Sequence, residues 1–226
     1  MQRLKWLLVL AFHFTLVVVS AGADSKPHFE DVFDVQNTDS WHWSHASNPA
    51  PTWRIEDGML RRKGDRDELH RARIAPARDI LIDARIRVRP GGRKVFGLAL
   101  RVASDSYLLL RYYDQPRALE VLAYNDGAWV RQGRRSEPIE VPVDRWMRFK
   151  VAAAEDLLVA KCWPDGGPEP DWQLSAEVER TTPGGFALVA HDNTQVDFDW
   201  VRASIDHDDL RVVQTELQTA RLQEQE

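Results

Sequence analysis

Alternation dominates the middle of the chain. Ile80, Ile82, Ala84, Ile86 and Val88 recur at every second position, with Asp83, Arg85, Arg87 and Arg89 between and after them. Period two over residues 80–89 predicts an antiparallel strand with one buried face. Pro90-Gly91-Gly92 closes it as a turn. Residues 95–102 predict a second strand. Phe96, Leu98, Leu100 and Val102 share one face, and the small Gly97 and Ala99 share the other, as where something packs or binds closely. Strands follow at 107–113 and 117–124, and Asn125-Asp126-Gly127 predicts a tight hairpin. Residues 146–153, 157–163, 172–178, 186–191 and 195–204 complete the series. Short strands punctuated by Gly, Pro, Asn and Asp predict an all-β sandwich or barrel. No internal repeat marks a propeller or solenoid.

The two ends break this pattern. Residues 1–23 combine Arg3 and Lys5, an apolar run from Trp6 to Val19 and the small residues Ala21-Gly22-Ala23. That three-part order predicts a secretory signal cut between Ala23 and Asp24. The run is short for a membrane span, which needs about 20 apolar residues. Residues 24–205 are then the sandwich domain. In 206–226 there is no Pro or Gly, and Leu210, Val213, Leu217 and Ala220 recur at helical spacing behind Asp206, Asp208 and Asp209. This predicts an amphipathic C-terminal helix of about four turns. It docks on the sandwich or frays in solution, or else pairs with a second copy as a short coiled coil.

Composition sharpens the class. The 226 residues are 43% hydrophobic and 29% charged, a globular balance. Net charge is −5. The signal holds two basic residues and no acids, so the mature chain has 28 basic against 35 acidic residues, a net of −7. An acidic chain without a basic stripe speaks against a nucleic-acid partner. A single Cys162 excludes an intramolecular disulfide.

Several segments carry a resemblance. Phe29-Glu30-Asp31-Val32-Phe33 before Trp41 resembles the opening strand of concanavalin A-like, laminin-G-like jelly rolls. Phe96-Gly97-Leu98-Ala99-Leu100-Arg101 and Ser106-Tyr107-Leu108-Leu109-Leu110-Arg111 are similar to their paired central strands. Trp146 to Val151 looks like a third, and Gly184 to Leu188 with Phe198 to Val201 like the closing pair. The resemblance covers residues 29–205. It implies a jelly-roll β-sandwich of two antiparallel sheets, exported from a bacterium and related to the 3-keto-disaccharide hydrolase domain. Val189 and His191 stand where that family commonly has Trp and Lys.

Candidate chemistry follows. Glycosidases need two carboxylates about one bond. The Glu-x-Asp-x-x-Glu strand of family 16 hydrolases is missing, because Leu174 follows Glu169-Pro170-Asp171 where the second Glu belongs. His42 and His45 sit three apart without a third ligand nearby, and Asp65, Asp67, Glu68 and His70 read as a charged loop. Asp199 occupies the place of a calcium-binding Asp in the family 16 closing strand. The resemblance thus implies a structural calcium held with Glu30 and Asp31, if first and last strands pair. For ligand binding, Arg101, Arg111, Tyr113, Trp129, His191 and Asn193 are the candidates. Planar donors and aromatic faces suit sugars. Arg85 and Arg87 read as a continuation of that row or as partners of acids such as Asp83, the second being favoured. For Arg101 and Arg111 sugar contact and pairing with acids such as Glu120 stand equal. Trp53, Trp146, Trp163 and Trp200 read as packing residues.

The expectation is an exported, periplasmic or secreted, non-catalytic module binding carbohydrate or cell-envelope glycan, without a membrane anchor once the signal is cut. Its rivals are a 3-keto-glycoside hydrolase or lyase, and a structural envelope protein self-associating through 206–226.

Overall fold

The computed structural model describes residues 29–35, 39–42, 53–63, 68–103, 106–179, 182–205, 210–211 and 213–215. The signal segment and most of the tail therefore lie outside the described residues. Fifteen strands run in chain order: β1 (Phe29–Asp31), β2 (Trp41–His42), β3 (Trp53–Glu56), β4 (Met59–Arg62), β5 (Glu68–Ala72), β6 (Ile80–Val88), β7 (Val95–Val102) and β8 (Ser106–Tyr113). Then come β9 (Ala118–Asn125), β10 (Ala128–Gln132), β11 (Trp146–Ala154), β12 (Leu157–Pro164), β13 (Leu174–Glu177), β14 (Gly185–Ala190) and β15 (Val196–Ser204).

Two antiparallel sheets result. One has the order β13-β12-β11-β6-β15-β4-β3, and β1 pairs beside β4 along the same edge of β15. The other runs β10-β9-β8-β7-β14-β5-β2. Alternation explains how they meet. Ile82, Ala84 and Ile86 of β6 and Phe149 and Val151 of β11 face Leu98, Leu100, Leu108, Leu110, Phe186 and Leu188 of the second sheet in one core. Each of the larger side chains contributes about 1.5–3 kcal/mol on leaving water.

One region departs from the sequence reading. Residues 53–62, where no strand was expected, hold β3 and β4, and Glu68 and His70 of the expected charged loop stand in β5. Asp57 and Gly58, both at positive φ, turn β3 into β4. His70 is buried in β5, stacked between Trp41 at 4.6 Å and Trp53 at 5.4 Å. Its expected place in a charged loop is thereby corrected: the pleat points His70 inward, where two indoles hold the ring. Burial pulls its pKa down to about 3. Asp65 and Asp67 lie outside the described residues, as does His45.

The tail is helical at 210–211 and 213–215. Leu210 and Val213 are buried, and Val213 packs with Ala152 and Val159 on the outer face of the eight-stranded sheet. Among the described residues this is docking on the sandwich.

Candidate functional site

The outer face of the seven-stranded sheet is assembled in rows by strand register. One row reads Leu69, Val189, Gly97, Arg111, Glu120. The next reads Arg71, Ala187, Ala99, Leu109, Leu122, Arg131. A third holds Tyr107, Tyr124 and Trp129. The middle of this face is therefore aliphatic, and Ala99, Leu109, Leu122, Ala187 and Val189 form a buried cluster of their own. Gly97 is small for a reason internal to the sheet. A Cβ there would stand 2.0 Å from the Leu110 carbonyl oxygen.

Aromatic rings gather at one end. Tyr107 and Tyr124 have centroids 5.0 Å apart, and Trp129 lies 4.7 Å from Tyr124 and 5.7 Å from Tyr107. Trp129 is 43% exposed even so. A cationic knot lies beside the floor. Arg111 donates through Nε and Nη2 to Glu120 Oε1 at 2.9 and 2.8 Å, and Arg135 Nε donates to Oε2 at 2.7 Å. Arg131 stands 3.6 Å from the same carboxylate. Burial pushes the Glu120 carboxyl up, but the hydrogen bonds from Arg135 and Arg111 outweigh it and hold the pKa below its ordinary value. Glu120 thus remains ionised, with both oxygens spent.

The 191–194 turn closes the far corner. Val95 N–H donates to Thr194 Oγ1, and Arg93 N–H donates to Asn193 Oδ1. Arg93 also bridges Asp114 at 2.8 Å and Asp192 at 3.2 Å. Tyr113 lies under both Arg93 and Arg111, 5.0 and 4.7 Å from ring to guanidinium. His191 is buried beside Trp129. Of the sequence candidates, then, Arg111 and Tyr113 come together, Asn193 joins them through Arg93, and His191 meets Trp129.

Arg101 does not join them. It has a φ of 52° and is 1% exposed; Nε donates to the Arg78 carbonyl at 2.9 Å and Nη2 to the Glu155 carbonyl. The positive φ turns its side chain off the face into a cage of main-chain oxygens. Arg85 and Arg87 follow the favoured reading, as partners of acids, and do not extend the row. They stand on β6, in the other sheet, and pair with Asp165, Asp199 and Asp197. Sequence reasoning missed Tyr107, Tyr124, Arg131 and Arg135. Tyr107 and Tyr124 each sit one residue from a strand end, in register across the hairpin, and that spacing was the available signal.

The carboxylates expected to hold calcium are each bound elsewhere. First and last strands do pair, placing Glu30 opposite Arg202 and Asp31 opposite Val201. Glu30 accepts from Arg202 at 2.6 Å, and Asp199 from Arg85 at 2.8 Å. Asp31 accepts from Phe33 N–H and Trp41 Nε1. Among the described residues no three metal-ligating groups gather. A donor set already paired with two arginines and hydrogen-bonded by an indole N–H does not fit calcium.

The tryptophans of the eight-stranded sheet are covered by cations. Trp146 lies under Arg85 and Arg87 at 4.5 and 4.4 Å, and Arg148 stands over Trp163 and Trp200 at 5.5 and 4.7 Å. Trp129 on the seven-stranded sheet, 43% exposed, is more open than these indoles.

No protein-family model matches the chain, and no curated protein does. Solved structures do. The carbohydrate-binding module CBM66 from Bacillus subtilis is 16% identical, with a TM-score of 0.60 over 74% of this chain and 97% of that one. The GH43 protein BlXynB from Bacillus licheniformis is 15% identical, with a TM-score of 0.60 over 78% of this chain; the match spans 39% of that protein. SCLam, a non-specific endo-β-1,3(4)-glucanase of family GH16, is 12% identical, with a TM-score of 0.52 over 79% of this chain and 90% of that one. At these identities the likeness shows the fold: a concanavalin A-like jelly-roll sandwich.

Proposed function

We propose that this chain is an exported, non-catalytic carbohydrate-binding module whose ligand lies on the outer face of the seven-stranded sheet. The observation that carries this is the Tyr107–Tyr124–Trp129 cluster with one indole exposed beside the Arg111–Glu120–Arg135 knot. Sugar C–H faces stack on aromatic rings, and guanidinium groups donate to hydroxyls in a fixed plane. The module CBM66, which this chain covers almost end to end, is similar in fold. Binding is favoured over hydrolysis by the state of Glu120. A retaining or inverting mechanism needs two carboxyl groups free to trade protons or attack. Glu120 is 1% exposed, and its oxygens are taken by Arg111 and Arg135. Export rests on the signal pattern of residues 1–23.

The experiment is a glycan array followed by calorimetry on the hits. Binding that weakens about tenfold in Trp129→Ala, about 1.4 kcal/mol, supports the reading. No hit on a broad array, or full affinity in Trp129→Ala, rejects it. Release of monosaccharide from 3-keto-disaccharides would establish the hydrolase instead.

A further inference from the structure

β10 ends the seven-stranded sheet, and the turn before it decides which way its backbone points. Asp126 and Gly127 have φ of 47° and 87°, the geometry of a two-residue hairpin loop. In such a hairpin the flanking pair, Asn125 and Ala128, exchanges hydrogen bonds, and pairing then alternates along the ladder. Ala128, Val130 and Gln132 thus turn their N–H and C=O toward β9, while Trp129 and Arg131 turn theirs outward. Among the described residues no main-chain group takes them.

The side chains add to this open edge. Trp129 is 43% exposed and Val130, on the opposite face, 55%. Among the described residues, other edge strands are blunted in the usual ways, β1 by being three residues long. β2 is two residues long, β3 carries the Arg54–Glu56 ion pair, and β13 exposes Ser175 and Glu177. An edge with open backbone beside an exposed Trp and Val is a template for another strand.

We propose that β10 pairs antiparallel with β10 of a second copy of this chain, about a two-fold axis at Val130. Register singles out this arrangement. Only residues with outward backbone groups can pair across the new seam. An axis at Arg131 would set like charges directly opposite, and an axis at Trp129 would leave Arg131 facing Gly127. An axis at Val130 sets each Trp129 opposite the second copy's Arg131, twice, with a guanidinium beside each indole. Val130 meets its own copy on the other face. Such a two-fold stands perpendicular to the sheet, so both outer faces point the same way. Two aromatic clusters then flank one seam, an arrangement suited to a polymeric ligand.

Val130→Cys tests the axis. The two thiols would face each other at a non-hydrogen-bonded pair, with Cα atoms about 4.5 Å apart, within disulfide reach. Mild oxidation should then give a covalent dimer at least about tenfold faster than for Val143→Cys, because pairing raises the effective concentration. Val143 is a control exposed outside β10. The native Cys162 stays out of the reaction, since burial pushes its thiol up to about 12. By light scattering the unmodified chain should weigh as a dimer at micromolar concentration, and Val130→Lys as a monomer that still unfolds in one cooperative transition. A monomeric unmodified chain, or equal crosslinking of the two cysteine variants, overturns the proposal. So does a dimer that survives Val130→Lys, which would move the interface elsewhere, to the 206–226 tail first.

Discussion

The rings of Trp129 and His191 lie 6.1 Å apart although their strands are separated by four strand spacings. Laid flat, that separation would be about 19 Å. The seven-stranded sheet therefore curls toward its outer face, and the aliphatic residues at its middle, Ala99, Leu109, Ala187 and Val189, are buried beneath that curl. Trp129, 43% exposed, keeps open aromatic surface on this face. Trp129→Ala should cost the binding and spare the fold. Exposed substitutions away from caps and networks stay within about 0.5 kcal/mol, here about 1–2 °C in melting temperature. A melting shift well beyond that in Trp129→Ala would mean the indole packs as core, and binding data from the variant would carry no weight.

Glu120 ties this face to stability. Its carboxylate on β9 joins β8, β10 and the segment after it through Arg111, Arg131 and Arg135. Glu120→Ala removes the anion and leaves three arginines facing one another. Breaking a buried pair costs about 3–5 kcal/mol, and the arginines here keep some solvent, so about 2–3 kcal/mol is expected. Because the folded carboxyl is held below its ordinary pKa, its contribution is present above the unfolded value and is lost as pH falls through the folded one. Chemical denaturation of Glu120→Gln should accordingly show a shallower loss of stability on acidification below about pH 4.5 than the parent chain.

Most strands from β6 onward were legible from short apolar runs between turns, β6 most clearly through Ile80, Ile82, Ala84, Ile86 and Val88; β10 was not read as a strand and was signalled only by the Asn125-Asp126-Gly127 turn before it. Residues 53–72 were not legible, and the reason is physical. β4 buries an arginine: Arg62 is 0% exposed and donates to the Thr194 carbonyl. β5 buries His70. Inward-facing polar residues erase the period-two signal, leaving only the Asp57-Gly58 turn to announce a hairpin. The site divides the same way. Arg111 with Glu120 was readable as a cross-strand pair. The fate of Arg101 was not, because a positive φ reverses the face that alternation assigns.

His70 should govern stability in mild acid. Its folded pKa is about 3, against an ordinary 6.5, because burial between Trp41 and Trp53 disfavours the cation. Between those values the unfolded chain binds a proton that the folded chain refuses. Stability is therefore whole above pH 6.5 and drains away as pH falls toward 3, by up to about 4 kcal/mol. Urea unfolding at pH 7, 5.5 and 4 measures the slope, and His70→Phe should flatten it while keeping a ring between the indoles. An unchanged slope in that variant would assign the acid sensitivity to the carboxylates.

Gly97 separates a packing requirement from a ligand requirement. Its place on the outer face invites the idea that a sugar approaches closely there. The contact that excludes a side chain is instead the Leu110 carbonyl, 2.0 Å from any Cβ. Gly97→Ala must push β7 and β8 apart at the centre of the sheet, and overpacking of this kind costs about 1–3 kcal/mol. The variant should melt lower without ligand present. A Gly97→Ala protein that melts normally but loses sugar affinity would show the opposite, that ligand contacts this position.

Chelation should leave the melting temperature where it is. Calcium binding would need Asp31, Glu30 and Asp199 to give up Trp41, Arg202 and Arg85 respectively. Ion binding to the folded state alone stabilises by RT ln(1 + [L]/Kd), about 2.7 kcal/mol at a hundredfold excess over Kd. Such a gain would appear as a rise of about 5–10 °C on adding calcium to chelated protein. The test is calorimetry in EDTA and then in excess calcium. A rise of that size that disappears in Asp199→Asn would restore the metal site and show that Arg85 is displaced when the ion binds.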